Sequence, residues 1–517
     1  MNKILARAVH RVCLPLCVAL MSAIAQADSA QIYKNNCSSC HGADRLGGSG
    51  PALLPESLAR LKRTDAIRTI ENGRPATQMP GFKTSLNNAQ IESLVDMIYA
   101  PLSTPPVWNA KDIRASRKVT TQRLGDTPVF QADMLNLFVV VETGDHYATI
   151  LNGDTFEPIT RFPTRYALHG GPKFSPDGRY VYFSSRDGWV TKYDIWNLQT
   201  VAEVRVGINT RNIAVSSDGR YVMAANYLPH DVVVLNGHDL SLLKIIPAVD
   251  EKGQSSRVSA VYDAAPRKSF VVALKDAPEL WEISYDDKAP PIFTGLVHDY
   301  KMAEGIATPG KLNPRRTPLE TPLDDFFFDQ SYTNLMGASR DGKAQVINLN
   351  IRRKVADLDL TGMPHLGSGI TWERDGQAVM ATPNLKEGLI TVIDMQDWHV
   401  VRQIKTPGPG FFMRSHEHTP YAWTDVFMGK NKDTLQLIDK QTLEIARTIT
   451  PTPGKTAAHV EFTRDGKYAL VSIWENDGEL VIYDAESIKE IKRIPMKKPS
   501  GKYNVYNKIT RSSGTSH

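Results

Sequence analysis

A chain of 517 residues, 41% hydrophobic and 23% charged, is long enough for more than one packed unit and too apolar to be disordered. Its formal charge of +5 falls to near +2 when Lys3, Arg7 and Arg11 leave with the leader that carries them, so there is no electrostatic case for nucleic acid. Two of the four cysteines, Cys13 and Cys17, lie in that leader, which excludes a disulfide scaffold.

The leader has three basic residues, an apolar run from Val12 to Ile24 and the small-residue site Ala25-Gln26-Ala27. The apolar run is too short to span a bilayer, so residues 1–27 read as an export signal, with the mature chain in the periplasm and no stable membrane insertion. Leu16 is too large for lipoprotein processing at Cys17.

Next comes Cys37-Ser38-Ser39-Cys40-His41. Two thiols three positions apart with a histidine directly after them predict a covalent c-type haem, with Cys37 and Cys40 as attachment points and His41 as proximal iron ligand. A zinc site would want a second cysteine pair, and a thioredoxin-like site a strand before and a long helix after. The chain has no second pair, and Gly42, Gly47, Gly48 and Gly50 follow instead. Ile91, Leu94, Val95 and Ile98 follow i, i+3, i+4, i+7 spacing, which predicts a terminal helix. With Gly50-Pro51-Ala52-Leu53 and Met79-Pro80-Gly81-Phe82, residues 28–104 resemble a small all-α class I cytochrome c. The resemblance makes Met79 the distal ligand, with Met97 the weaker candidate. A histidine–methionine pair leaves no open position for substrate, so this haem reads as an electron relay.

Ser103-Thr104-Pro105-Pro106 opens a linker over 105–127, and residues 128–517 change character. Asp-Gly turns at 177–178, 218–219, 375–376 and 465–466 separate short β-branched runs and predict hairpins, both turn positions being expected at positive φ. A second anchor, an apolar strand ending in a polar residue, recurs at Asn152, Asp194, Asn236, Ser284, Asn348, Asp394, Asp439 and Asp484. Seven intervals of 42 to 64 residues between eight anchors predict an all-β eight-bladed propeller, with an insertion around 297–322. A strand between Val129 and Thr143 is available to close the ring. A solenoid is the alternative, but would need end caps that are not evident.

Several segments carry a second resemblance: Arg165-Tyr166-Ala167-Leu168-His169, Arg186-Asp187-Gly188, Asn209-Thr210-Arg211-Asn212-Ile213, Met363-Pro364-His365-Leu366-Gly367 and Gly501-Lys502-Tyr503-Asn504-Val505-Tyr506-Asn507. They are similar to the cytochrome cd1 nitrite reductase family and its relatives that handle haem d1. The resemblance implies a haem d1-type propeller, with His169 as axial ligand of the macrocycle, Arg186 and Arg211 on its carboxylates, and His365 in the distal pocket. His416 and His418 resemble the pocket wall and join His365 as candidate bases; as a His-x-His pair they also admit a metal. His298, in the insertion, is a candidate lid residue.

Reductases of this family set two histidines above the iron, and here the second position aligns with Phe328, which cannot donate a proton. The chain therefore resembles more nearly the c-haem-bearing dihydro-haem d1 dehydrogenases of haem d1 biosynthesis. That resemblance implies oxidation of a propionate of dihydro-haem d1 to an acrylate, with electrons passed to the chain's own c-type haem. The implied partners are the tetrapyrrole, an electron-accepting periplasmic cytochrome, and nitrite reductase or haem d1 assembly proteins. A nitrite reductase with an altered pocket and a non-catalytic haem d1 carrier are the alternatives.

Overall fold

The computed structural model describes residues 29–48, 50–58, 61–73, 79–122, 124–166, 168, 171–294, 306–339 and 342–511. The leader, His169 and His298 lie outside the described residues. The chain divides into two compact units, residues 1–107 and 108–517. Among the described residues no helix is long and apolar enough to cross a membrane.

The first unit is helical. Helix Asn88–Tyr99 is opened by a capping box, the Asn87 side chain accepting from Gln90 N–H while the Gln90 side chain accepts from Asn87 N–H. Its buried residues are Ile91, Leu94, Val95 and Ile98, the predicted apolar stripe. Leu94 and Ile98 pack with Ile32, Tyr33 and Leu58, and Met97 lies against this cluster.

The second unit is an eight-bladed propeller, and each blade is a four-stranded antiparallel sheet. The expected closing strand is Leu137–Glu142, which pairs with Pro499–Asn504 from the C-terminus. One blade therefore joins both ends of the chain and closes the ring. The segment 105–127, read as a linker, is folded from Trp108 onward: helix Ala110–Ser116 buries Ile113, and Lys118–Val119 adds a fifth strand beside Gln199–Arg205.

All eight anchors end the third strand of a blade. At each, the side-chain oxygen accepts backbone N–H groups two or three residues on, as Asp394 does from Gln396 (2.7 Å) and Asp439 from Thr442 (2.8 Å). Four residues after seven of them a non-glycine residue takes positive φ: Phe156, Leu198, Leu240, Arg352, Trp398, Leu443 and Ile488. The Asp-Gly turns depart from expectation. Both residues have positive φ only at Asp375 and Gly376; at 177–178, 218–219 and 465–466 only the glycine does. There the aspartate accepts from a hydroxyl two residues back and a backbone N–H two residues on, building a longer turn (Ser175 Oγ 2.5 Å, Arg179 N 3.1 Å at Asp177).

The C-terminal helix Val505–Thr510 is tied to this ring by one buried ion pair. Arg414 forks onto Glu461 at 2.7 Å to each oxygen, and Asn507 Nδ2 donates to the same carboxylate at 3.0 Å. Both charged groups are almost wholly buried. Glu461→Ala leaves the guanidinium buried and unpaired, so it is expected to cost about 3–5 kcal/mol, read as a lower urea midpoint.

Candidate functional sites

In the first unit a single helical turn, Ser38–His41, carries the attachment motif, and both cysteines are free. Burial, then the neighbouring Cys40, pushes the Cys37 thiol up to about 11. His41 is buried, and its Nδ1–H donates to the Pro51 carbonyl at 2.8 Å. That bond fixes the tautomer with Nε2 bare, the form an iron ligand requires. A Cβ at Gly50 would stand 2.8 Å from the His41 ring, which is why glycine seats the imidazole there. Gly73, at φ +72, ends helix Arg63–Asn72 in contact with the backbone of Met79, Pro80 and Gly81. Free thiols, a bare Nε2 and a thioether loop fit a c-type haem.

In the propeller the inner strands line the channel side by side, so segments before them gather at one mouth and the turns after them at the other. His365 precedes the inner strand Ile370–Arg374. Its Nδ1–H donates to the Phe411 carbonyl at 2.8 Å, leaving Nε2 to accept a proton, and burial lowers its pKa. Gly367 N–H and Tyr262 Oη both donate to Asp325, whose carboxylate acts on His365 in the direction that favours the imidazolium. Arg211 faces the same groups and opposes that charge.

Around this mouth two sectors differ in chemistry. Arg186, Arg257 and Lys275 surround the Tyr227 ring at 5.6, 5.5 and 5.6 Å. Arg257 is forked onto Asp276, and Lys275 is paired with Asp324. The other sector is aromatic: Phe411 contacts Phe412 and Phe427, and Trp474 lies 4.9 Å from Phe427. Buried Asp425 accepts from Phe411 N–H and Phe412 N–H, and burial pushes its pKa up to about 7. His459 packs on Phe412 and Tyr503 at 4.8 and 5.1 Å, in left-handed backbone beside a register shift. Burial, then Lys502, holds its pKa well below the ordinary histidine value. Two buried nitrogens here, His459 Nδ1 and Trp474 Nε1, have no hydrogen-bond partner. A flat apolar body with a carboxylate-bearing edge suits these two sectors.

The family model "Cytochrome D1 heme domain" matches residues 132–508, nearly the whole propeller. The chain belongs to the cytochrome d1 heme domain family. A model of cytochrome c oxidase, cbb3-type, subunit III matches residues 25–98. The dihydro-heme d1 dehydrogenase of Pseudomonas aeruginosa is 57% identical over 96% of this chain and 98% of its own length. The nitrite reductase of Stutzerimonas stutzeri is 24% identical over 94% of each. A solved structure of dihydro-heme d1 dehydrogenase NirN in complex with DHE, 57% identical, superposes with a TM-score of 0.87 over 93% of this chain and 100% of that one.

Within this d1-family propeller the structure gathers some of the predicted residues and separates others. His365, Arg211 and Arg186 lie on the channel or its mouth. Of the His169 segment, Leu168 bridges to Ser185 and Gly171 abuts the Tyr503 ring. His416 and His418 follow the inner strand Met413–Arg414, in a turn at the opposite mouth, so they do not share a pocket with His365. They face the next turn, where His418 Nδ1 donates to the Asp465 carbonyl and a Cβ on Gly466 would strike the His416 ring. With Glu417 their donor atoms lie within 4.8 Å of one another. Phe328 is also displaced from its aligned role: it ends the inner strand Asp325–Phe328, packed on Phe326 and Tyr332, and the residue of that strand beside His365 is Asp325.

Proposed function

We propose that this chain is a periplasmic dihydro-haem d1 dehydrogenase. The macrocycle lies across the channel mouth, its carboxylates toward Arg186, Arg257 and Lys275 and its plane against the aromatic sector. The observation that carries this reading is His365, held by the Phe411 carbonyl with Nε2 bare, next to a carboxylate and on the same mouth as the cationic sector. His365 removes a proton from the carbon next to a propionate carboxylate. Arg211 and the cationic sector stabilise the charge that develops there, and Asp325 stabilises the imidazolium that forms.

The side chain loses two hydrogens, –CH2–CH2–COO⁻ becoming –CH=CH–COO⁻, with release of two protons and two electrons. A c-type haem would be held by Cys37, Cys40, His41 and Met79 and would supply a one-electron sink. Two electrons leave per product, so an external one-electron acceptor such as a cytochrome would be required. His169 is the proposed axial ligand of the macrocycle iron, and His459 faces the same pocket.

Anaerobic addition of dihydro-haem d1 to the oxidised protein tests this directly. The α-band of reduced cytochrome c is expected to grow at the rate of macrocycle oxidation; binding without that band would mark a carrier. The pH profile follows from the site. A base must be neutral, and burial lowers the His365 pKa, so the acid limb of kcat is expected below the ordinary histidine value of about 6.5. A limb above that value would exclude His365 as the base.

A further inference from the structure

At the opposite mouth, beneath the C-terminal helix, the channel widens into a cavity of about 460 Å³ that the proposed dehydrogenase chemistry does not use. Three cations from different parts of the chain line it: Lys173 on an inner strand, Lys508 on the C-terminal helix, and Arg511 at that helix's end. Phe174, Phe327 and Phe328 form part of the wall.

The acids nearby only partly balance this charge. Asp263 is engaged by Arg511 and by Tyr285 Oη. Asp329 turns its carboxylate into its own hairpin, accepting from Asn334 N–H, Asn334 Nδ2 and Ser331 Oγ. Asp325 accepts from Tyr262 Oη and Gly367 N–H. Glu461 is forked by Arg414. Lys173 contacts the Tyr262 ring at 5.8 Å and has no ion pair among the described residues.

We propose that this cavity is a second ligand site, taking a small dianion, either a divalent oxyanion or a short dicarboxylate, between Lys173, Lys508 and Arg511. Enclosed like charges repel strongly where water cannot screen them, and a dianion removes that repulsion while gaining charge-assisted hydrogen bonds. The titration of the two lysines agrees. Burial, then Arg511, lowers Lys173 to about 8 against the opposing pull of Asp325. Burial, then Lys173, Arg414 and Arg511, holds Lys508 well below its ordinary value despite Glu461. A bound dianion raises both lysines, so binding takes up protons where Lys173, at about 8, is partly neutral.

Titration calorimetry on the full haem-bearing protein, with inorganic phosphate and with succinate as separate probes, tests this. Saturable binding of at least one is expected, with proton uptake seen around pH 8 across buffers of different ionisation enthalpy. The tighter probe identifies the ligand as oxyanion or dicarboxylate. Lys173→Met and Lys508→Met are each expected to weaken binding at least about tenfold. Arg511→Gln, at the exposed helix end, supplies a third variant, which keeps a hydrogen-bond donor beside Asp263. Absence of saturable binding for both probes, or an affinity unchanged in all three variants, overturns the proposal.

Discussion

His365→Ala is expected to bind dihydro-haem d1 and leave it unchanged, with turnover lower by about 100- to 10,000-fold, the usual worth of a positioned base. The reason is specific to the site. The Phe411 carbonyl can only accept, so it fixes the proton on His365 Nδ1 and leaves Nε2 as the open basic atom. His365 contributes no cation to carboxylate binding, because burial keeps it neutral near pH 7. Kd for the macrocycle, measured anaerobically, should therefore change much less than kcat. A variant that loses binding and keeps its turnover per bound substrate would reassign His365 to the pocket wall.

The second large effect is expected from Cys37→Ser combined with Cys40→Ser. Both thiols are free and sit on one helical turn with His41, so their loss removes covalent attachment without disturbing a disulfide. The propeller is a separate compact unit with its own closing strand pair. This variant should therefore fold, bind dihydro-haem d1 with near-unchanged affinity, and give no acrylate product under anaerobic conditions. Continued turnover without a c-type haem would show that the electrons leave by another route.

Much of this architecture was legible because it rests on local chemistry repeated eight times. A short polar side chain at the end of each third strand caps its own turn, so Asn152 through Asp484 mark every blade, at intervals of 42 to 48 residues apart from the one that holds the insertion. The left-handed residues that follow, such as Trp398 and Leu443, carry no such signal, because the turn imposes that conformation on whatever side chain stands there. The Cys37–His41 motif and the Ile91–Ile98 stripe were legible for the same local reason.

The substrate site was legible only in part. Arg257, Lys275 and Tyr227 stand at the ends of different strands and meet only when neighbouring blades pack. His459 sits within an apolar strand run, and a register shift, invisible in composition, places it against Phe412 and Tyr503. His416 and His418 share a strand–turn segment with the inner ring, yet the turn carries them to the far mouth. Phe328 and Asp325 are three residues apart on one strand, and an alignment across the insertion does not fix which of them reaches His365.

A dehydrogenase changes the bound tetrapyrrole chemically, and a carrier does not. Dihydro-haem d1 is to be incubated anaerobically with the oxidised protein and an excess of oxidised cytochrome c as external acceptor, extracted, and weighed by mass spectrometry. A macrocycle lighter by two hydrogens is the predicted result. Recovery of the intact dihydro compound, from protein shown to have bound it and to carry an oxidised c-type haem, would contradict the dehydrogenase reading.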